Sequence, residues 1–172
     1  GVAHAQAAEL NIYSHRQPFL IDPFLEAFTA QTGIQTNVVF AAKGLAQRLE
    51  REGENSPADV VLTVDIARLS VYAEKNLFAK IDSDVLNSKI PAHLRDVEGY
   101  WYGLSVRSRI IGASSERVKP GEITSYEDLA DPKWKGRICS RPGSHVYNRA
   151  LVASMIATHG ETKAEAWARG VV

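Results

Sequence analysis

Tyr147 is the residue of this chain whose position best suits chemistry, and it lies in the stretch 141–148 (RPGSHVYN). A Pro-Gly turn followed by Ser144 as N-cap predicts a helix that begins beside this phenol. The N–H groups of a first helical turn and the helix dipole favour a bound anion, and a tyrosinate oxygen suits a hard trivalent metal ion. The alternative is that Tyr147 and Leu151, four residues apart, share a buried helix face. The spacing alone leaves both interpretations open.

The elements that must position such a site alternate between strand and helix in the first half of the chain. Asp22 and Pro23 predict the N-cap and first turn of a helix that Gly33 ends. Parallel strands joined by helices form an α/β sheet, whose ligands bind at the carboxyl ends of the strands. Tyr13 and Arg16 come at the first of these ends. Strands are predicted over residues 10–13, 34–40 and 59–63, and further helices over 44–52 and 65–76.

The second half carries two arginines that share one face of a predicted strand. Arg107 and Arg109 alternate within residues 100–111, a segment that could cross between two lobes. Another strand is predicted over residues 137–140, directly before the helix that carries Tyr147. A last helical stretch follows over residues 163–168.

Composition excludes several classes of function. The 172 residues are 45% hydrophobic, and 20 basic side chains balance 20 acidic ones without a long block of either sign. This pattern indicates a folded chain with a small partner, and neither a nucleic-acid surface nor a polybasic membrane anchor. No apolar run approaches the roughly 20 residues that a bilayer crossing needs, so we do not expect the chain to span a membrane.

Cys139 is the single cysteine, so neither an intrachain disulfide nor a cysteine-based zinc cluster can form. We expect it to be a small buried residue of the strand over 137–140.

Residues 1–9 are predicted to be the processed tail of an exported protein. Their small, uncharged start includes an Ala-His-Ala triplet that resembles the end of a signal-cleavage region. A cloning remnant would explain the same residues.

Four motifs occur in order along the chain: YSHRQP at 13–18, SPADVVLTVD at 56–65, GLSVRSR at 103–109 and DPKWKG at 131–136. Together with the tyrosine helix that follows, they resemble the periplasmic ferric-ion-binding proteins of iron ABC importers. The resemblance implies a type II periplasmic binding fold, in which two α/β lobes hold a metal ion in the cleft between them. On this basis we expect residues 10–104 to be most of the first lobe, 105–112 a crossing strand, and 113–172 the start of the second lobe.

The resemblance also implies roles for individual residues. Ferric iron in this family is held chiefly by tyrosinates, and Tyr147 falls at the position of one. Arg107 corresponds to the arginine that contacts a synergistic anion, often carbonate or phosphate, and Ser144 at the helix end would donate further hydrogen bonds. Binding to Fe³⁺ drives the proton from a phenol of ordinary pKa about 10, so affinity should fall as the pH falls. Candidates to support the cleft are Tyr13, Arg16 and Arg109.

The chain departs from the family pattern in its first lobe. Gln17 and Pro18 stand where some members have a His-Tyr pair, and Val64 stands where others have a glutamate ligand. The resemblance is therefore to the Arg-Gln-Pro subgroup, in which the metal depends on second-lobe tyrosines and the anion. His15 matches no family ligand, and we expect it to be a solvated loop residue. Members are longer than this chain, and we expect their adjacent Tyr-Tyr pair beyond Val172, so that the chain alone would not make a full iron site.

The resulting prediction is the periplasmic solute-binding component of an iron(III) ABC importer. It would bind Fe³⁺ with a synergistic anion such as carbonate and deliver it to an inner-membrane permease, as a monomer at full length. The alternative is a protein of the same fold that binds an anion or a small organic solute through Arg107 and Arg109 without metal. An enzyme is not predicted, because no nucleophile, metal-hydrolase or phosphate-loop spacing occurs.

Overall fold

The structure, a computed structural model, describes residues 8–172. It divides into two compact units, Gly1–Tyr102 and Gly103–Val172, which we call unit 1 and unit 2. The predicted processed tail lies outside the described residues except for its last two, and Glu9 already begins the first strand. Among the described residues, no helix is long and apolar enough to cross a membrane.

Unit 1 is built on a sheet of three parallel strands in the order β2-β1-β3. In this sheet Tyr13 lies opposite Val39 on one side and Val61 on the other. The central strand β1 is the most buried of the three, because it has a hydrogen-bonded neighbour on each side. The parallel α/β sheet predicted from the alternation of strands and helices is confirmed. The strands are β1 (Glu9–Ser14), β2 (Gln35–Phe40) and β3 (Val60–Leu62).

Helices connect and follow these strands. Helix α2 lies between Gly44 and Gly53, which both have positive φ angles that glycine adopts without steric cost. Helix α3 begins where the Asp65 side chain accepts a hydrogen bond from the Ala67 N–H at 3.0 Å. The helices of unit 1 are α1 (Pro18–Thr32), α2 (Leu45–Glu52), α3 (Ile66–Glu74) and α4 (Asp84–Lys89).

Helix α1 begins one turn earlier than predicted. Gln17 is extended and Pro18 occupies the first helical position, where its fixed φ favours the helix and its missing N–H costs nothing. Asp22 is therefore not the N-cap, and Pro23 lies inside the helix. Gly33 ends the helix as predicted, in the left-handed region with φ 74°.

The core of unit 1 lies between the sheet and helices α2 and α3. Its fully buried aromatic residues are Tyr13 and Tyr72, each only 1% exposed, and Leu45 and Leu49 pack with them. Burying one large side chain of this kind stabilises a fold by about 1.5–3 kcal/mol. The Tyr13 hydroxyl reaches the Glu52 carboxylate at 2.8 Å, so this buried polar atom is also satisfied.

Unit 2 contains two longer helices, α5 (Val146–His159) and α6 (Glu161–Val171), joined at Gly160. Short 3₁₀ turns over Glu127–Ala130 and Pro132–Trp134 precede them. The indole N–H of Trp167 on α6 donates to the Tyr126 carbonyl at 2.7 Å, which attaches α6 to the first of these turns.

Two predicted strands of unit 2 are not formed. Residues 103–112 and 137–140 have no regular secondary structure, although Tyr102 makes an isolated bridge with Arg95. A strand is stable only beside a hydrogen-bonded neighbour, and among residues 8–172 the only sheet is the one in unit 1. The prediction that Cys139 is buried in a strand is also wrong, because its side chain is exposed. The crossing role of residues 105–112 stays a prediction.

Candidate metal and anion site

Tyr147 is the second residue of helix α5 and is half-buried. The cap of this helix is His145, and not Ser144 as predicted. The His145 side chain reaches forward two residues, and its Nδ1 accepts the Tyr147 N–H at 3.1 Å. This contact replaces the hydroxyl cap, so the helix begins one residue later and Ser144 remains exposed in the preceding turn. A hydrogen-bonding role of Ser144 toward an anion stays a prediction.

Three guanidinium groups surround the Tyr147 side chain. Arg107 Nη1 donates to the phenol oxygen at 3.0 Å. The guanidinium carbon of Arg109 lies 3.8 Å from the centroid of the phenol ring, and that of Arg141 lies 5.5 Å from it. Cations at these distances are attracted to the ring face by about 0.5–2 kcal/mol each. Positively charged groups therefore lie next to both the oxygen and the ring of the phenol.

Hydrogen bonds from neighbouring side chains position these arginines. The Tyr126 hydroxyl donates to the Arg109 carbonyl at 2.8 Å, which fixes the backbone of the irregular segment 103–112. On the other side, Asn148 Nδ2 donates to the Arg141 carbonyl at 2.5 Å and to Ser140 Oγ at 3.0 Å. The turn before α5 is thereby attached to the first turn of the helix.

The sequence around the site is free of acidic residues over long stretches. No Asp or Glu occurs in residues 132–160, which include five Lys or Arg, or in residues 103–115, which include Arg107 and Arg109. An excess of one sign of charge in a concave, partly apolar region attracts counter-ions. The site therefore favours anions over cations that arrive without a counter-ion.

A cavity of 1140 Å³ opens beside Tyr147 within unit 2. Arg109 and Arg141 contribute polar atoms to its wall, and Ile138 and Trp167 are among its apolar residues. This mixture of apolar walls and a few convergent polar groups is typical of sites for small ligands. Among residues 8–172, no group of three or more His, Cys, Asp or Glu side chains is placed to hold a metal ion.

The structure brings together three of the predicted site residues and leaves two others in unit 1. Arg107 and Arg109 both contact Tyr147. Tyr13 is buried in the core, and burial, followed by its hydrogen bond to Glu52, raises the pKa of its hydroxyl. A tyrosinate is thus disfavoured at Tyr13, which acts as a packing residue. Arg16 lies just after β1, where its N–H donates to Ser14 Oγ at 2.9 Å. A supporting role for Tyr13 and Arg16 in a cleft stays a prediction.

The prediction that His15 is solvated is wrong, since only 8% of the residue is exposed. Its Nδ1 lies 2.8 Å from the Ala41 carbonyl, and its Nε2 lies 2.8 Å from the Tyr72 hydroxyl. The carbonyl can only accept, so Nδ1 carries the proton and Nε2 accepts from Tyr72. Burial lowers the pKa of His15 and raises the pKa of Tyr72 to about 12. This pair holds the end of β1 to helix α3.

Sequence reasoning missed three side chains of the site, Arg141, His145 and Asn148. Two features pointed to them. Residues 132–160 include no acidic residue, and the polar side chain of His145 stands two residues before Tyr147, whose N–H group it caps. A histidine is a less common cap than Ser, Thr, Asp or Asn, which is why Ser144 attracted the prediction.

Comparison with known proteins gives matches along the chain. Residues 55–172 match the family of bacterial extracellular solute-binding proteins. Iron uptake protein A1 of Synechocystis is 44% identical over 165 residues, which make up 95% of this chain and 46% of that protein. The chain spans about half the length of the curated relatives that it matches.

Solved structures also match nearly the whole of this chain and about half of their own length. Ferric iron-binding protein A of Mannheimia haemolytica, in an open conformation, is 47% identical with a TM-score of 0.86, over 96% of this chain and 52% of that one. Trichodesmium IdiA (FutA), in complex with iron and citrate ligands, is 42% identical with a TM-score of 0.88, over 95% of this chain and 52% of that one.

Proposed function

Because the chain belongs to the family of bacterial extracellular solute-binding proteins, we propose that it is part of the periplasmic component of an iron(III) ABC importer. In this proposal Tyr147 binds Fe³⁺ as a tyrosinate, together with an accompanying anion. The fold is that of the type II periplasmic binding proteins. The observation that carries the proposal is the phenol oxygen of Tyr147, which is accessible at a helix N-terminus and held by Arg107 at 3.0 Å.

The chemistry of the donor suits ferric iron. Fe³⁺ is a small, hard cation that prefers anionic oxygen ligands, and a phenolate is such a ligand. The named relatives support the choice of metal, since one is an iron uptake protein and another was solved with iron and citrate. Tyr147 would be one ligand of a larger set.

The arginines explain why an anion must accompany the metal. A trivalent cation beside Arg107, Arg109 and Arg141 would be repelled by each guanidinium group. An anion that binds both the metal and the arginines turns this repulsion into attraction. We propose carbonate or a carboxylate such as citrate for this role.

The remaining parts of the proposal concern the whole protein. We propose that it works in the periplasm, delivers iron to an inner-membrane permease and catalyses no reaction. The relatives support this, because they are solute-binding proteins.

A second candidate function is the binding of an anion or a small organic solute without metal. The observation that favours it is the group of three guanidiniums around Tyr147, which by itself suits an anion. Calorimetry with phosphate, carbonate and Fe³⁺ separates the two functions. Tight anion binding that iron does not strengthen would favour this second candidate.

The primary test is the colour of the iron complex, measured on the protein at its natural length. A tyrosinate bound to Fe³⁺ gives a visible charge-transfer band. We expect the Tyr147→Phe variant to lose this band or shift it strongly, because the phenylalanine ring has no oxygen to bind iron. Tyr100→Phe, an exposed tyrosine of unit 1, is the matched control and should keep the band. A band that is the same in Tyr147→Phe and in the wild type would refute the role of Tyr147.

A further inference from the structure

We propose that Tyr126 is a positioning residue of the iron site, which holds the guanidinium group of Arg109 over the ring of Tyr147. The inference rests on the proposed function, in which Tyr147 is a ligand of Fe³⁺. It adds a residue that acts through Arg109 and is not itself a ligand. Through Arg109, Tyr126 influences how strongly the Tyr147 phenolate donates electrons to the metal.

Arg109 has the guanidinium group closest to the ring of Tyr147 among the three arginines around it. Its guanidinium carbon lies 3.8 Å from the ring centroid, against 5.9 Å for Arg107 and 5.5 Å for Arg141. At 3.8 Å the planar group is in van der Waals contact with the ring, and its charge acts on the π electrons at short range. Arg109 therefore acts on the ring, whereas Arg107 donates to the oxygen at 3.0 Å.

Tyr126 fixes the backbone from which the Arg109 side chain extends. Residues 103–112 have no regular secondary structure, so no ladder of strand hydrogen bonds holds Arg109 in place. The Tyr126 hydroxyl donates to the Arg109 carbonyl at 2.8 Å, across 17 residues of sequence. A long side chain loses conformational entropy when it keeps one position, and a fixed backbone leaves it fewer positions to choose from. The hydroxyl therefore favours the stacked arrangement of Arg109.

Tyr126 is itself held by helix α6. The indole N–H of Trp167 donates to the Tyr126 carbonyl at 2.7 Å. One turn of α6 further on, Gly170 lies so close to Ala130 that an added Cβ would be 2.9 Å from the Ala130 Cβ. The helix and the 3₁₀ turn that follows Tyr126 are thus closely packed. Tyr126 is therefore a firm support for Arg109.

Helix α5 completes a closed cycle of contacts around Arg109. It begins beside the site with Tyr147 as its second residue, and it ends at His159, whose Nε2 donates to the Glu127 carboxylate at 2.6 Å. Glu127 directly follows Tyr126, which bonds to Arg109, and Arg109 lies over the ring of Tyr147. The support of Arg109 and the ring that it covers therefore belong to one connected frame within unit 2.

The charge-transfer band of the iron complex should report this contact. The band moves an electron from the phenolate to Fe³⁺, and a positive charge at the ring face holds the phenolate electrons more tightly. A metal bound to the oxygen lies farther from the Arg109 guanidinium than the ring does, so the effect on the donor exceeds the effect on the metal. Loss of the stacked charge should therefore shift the band to longer wavelength.

The test compares the band in variants of the protein at its natural length. Tyr126→Phe removes the hydroxyl that donates to Arg109 and keeps the ring. Tyr102→Phe is the matched control, because its hydroxyl also donates to a backbone carbonyl, that of Ile81 at 3.1 Å in unit 1. Each variant loses one such bond, so both should lose similar stability in urea. We expect only Tyr126→Phe to shift the band to longer wavelength, and an unshifted band in this variant would overturn the inference.

Arg109→Gln tests whether Tyr126 acts through Arg109. Glutamine has a planar polar end but no charge, so the band should shift in the same direction and further than in Tyr126→Phe. The double variant should show the shift of Arg109→Gln alone, because the hydroxyl then has no charge to position. Shifts that add in the double variant would mean that Tyr126 acts by another route, and would overturn the inference.

The iron-free protein gives a second readout by NMR. Protons that lie over an aromatic ring resonate upfield, so we expect the side-chain protons of Arg109 at upfield positions in the wild type. Tyr126→Phe should reduce this displacement, whereas Tyr102→Phe should retain it. An equal displacement in Tyr126→Phe and the wild type would contradict the positioning role.

The inference and the proposed function fail in different ways. A wild-type protein that forms the iron band, with a Tyr126→Phe variant unchanged in band and in NMR, would overturn the positioning role and leave the iron function intact. A Tyr126→Phe variant that loses the upfield displacement, in a protein that never forms the band, would support the positioning role and overturn the iron function.

Discussion

At the scale of single residues, two tyrosines of this chain have opposite surroundings. Tyr147 is half-buried beside three guanidinium groups, of which Arg107 donates to its oxygen and Arg109 and Arg141 lie over its ring. Tyr72 is 1% exposed in an apolar core, and its hydroxyl donates to a neutral histidine. Burial opposes ionisation, and neighbouring cations favour a nearby anion. The same side chain is thus suited to ligand binding in unit 2 and to packing in unit 1.

The pair of His15 and Tyr72 predicts how stability depends on pH. The pKa of Tyr72 is raised from 10.0 to about 12, so the unfolded chain loses this proton first, and stability should fall between pH 10 and 12. The difference corresponds to about 3 kcal/mol. The pKa of His15 is lowered by burial from 6.5, so the unfolded chain binds this proton first, and stability should also fall as the pH drops below 6.5.

The measurement is urea unfolding over a pH series. Tyr72→Phe should remove the part of the stability loss above pH 10 that comes from Tyr72. Tyr100→Phe, which removes an exposed hydroxyl, should retain that stability loss. An alkaline loss of the same size in Tyr72→Phe would show that other groups cause it.

At the scale of elements, helix α1 contains two prolines that differ in how much they destabilise the helix. Pro18 is the first helical residue, where no intrahelical N–H bond is due. Pro23 lies in the interior, so the Phe19 carbonyl lacks the N–H that would normally donate to it from four residues on.

We predict that Pro23→Ala stabilises the chain by about 1–2 kcal/mol. The gain is the roughly 3 kcal/mol helix penalty of an interior proline, reduced by the entropy that proline removes from the unfolded state. Pro18→Ala should be neutral or slightly destabilising, because it recovers no hydrogen bond. Denaturant unfolding measures both variants, and a Pro23→Ala protein less stable than Pro18→Ala would contradict the prediction.

Local signals predicted the elements of unit 1 well. Gly33, Gly53 and Asp65 mark helix ends through backbone freedom or a side-chain cap, which act within a few residues. The failed strands over 100–111 and 137–140 depend on a neighbouring strand, for which the local sequence carries no signal. In the site, Arg107 and Arg109 were predicted to share one face of a strand; the strand is not formed, but both arginines contact Tyr147. The cap at His145 depends on a side-chain conformation that spacing does not reveal.

At the scale of the whole molecule, the chain is about half as long as its curated relatives and folds into two compact units. Each unit has its own elements: a parallel sheet with helices in unit 1, and a helical pair with 3₁₀ turns in unit 2. The proposed metal ligand and the arginines that surround it all belong to unit 2.

We predict that the iron affinity of the protein falls as the pH is lowered from 8 to 6. Each tyrosine ligand should contribute about a tenfold fall per pH unit. The phenol must lose its proton to bind Fe³⁺, so protons and iron compete for the same oxygen. Competition with a chelator of known pH dependence measures this slope, after correction for the chelator and the anion. An affinity that does not change with pH would exclude a tyrosinate ligand. Tyr147→Phe should reduce the slope by about one proton.

The exposed thiol of Cys139 makes this chain convenient for spectroscopy. It is the single cysteine of the sequence, and it lines the same cavity as Arg141 and Tyr147. One environment-sensitive fluorophore can therefore be attached at a defined position without removing any other cysteine. Its emission would report in real time when a ligand enters the cavity, so the chain carries its own attachment point for a biosensor.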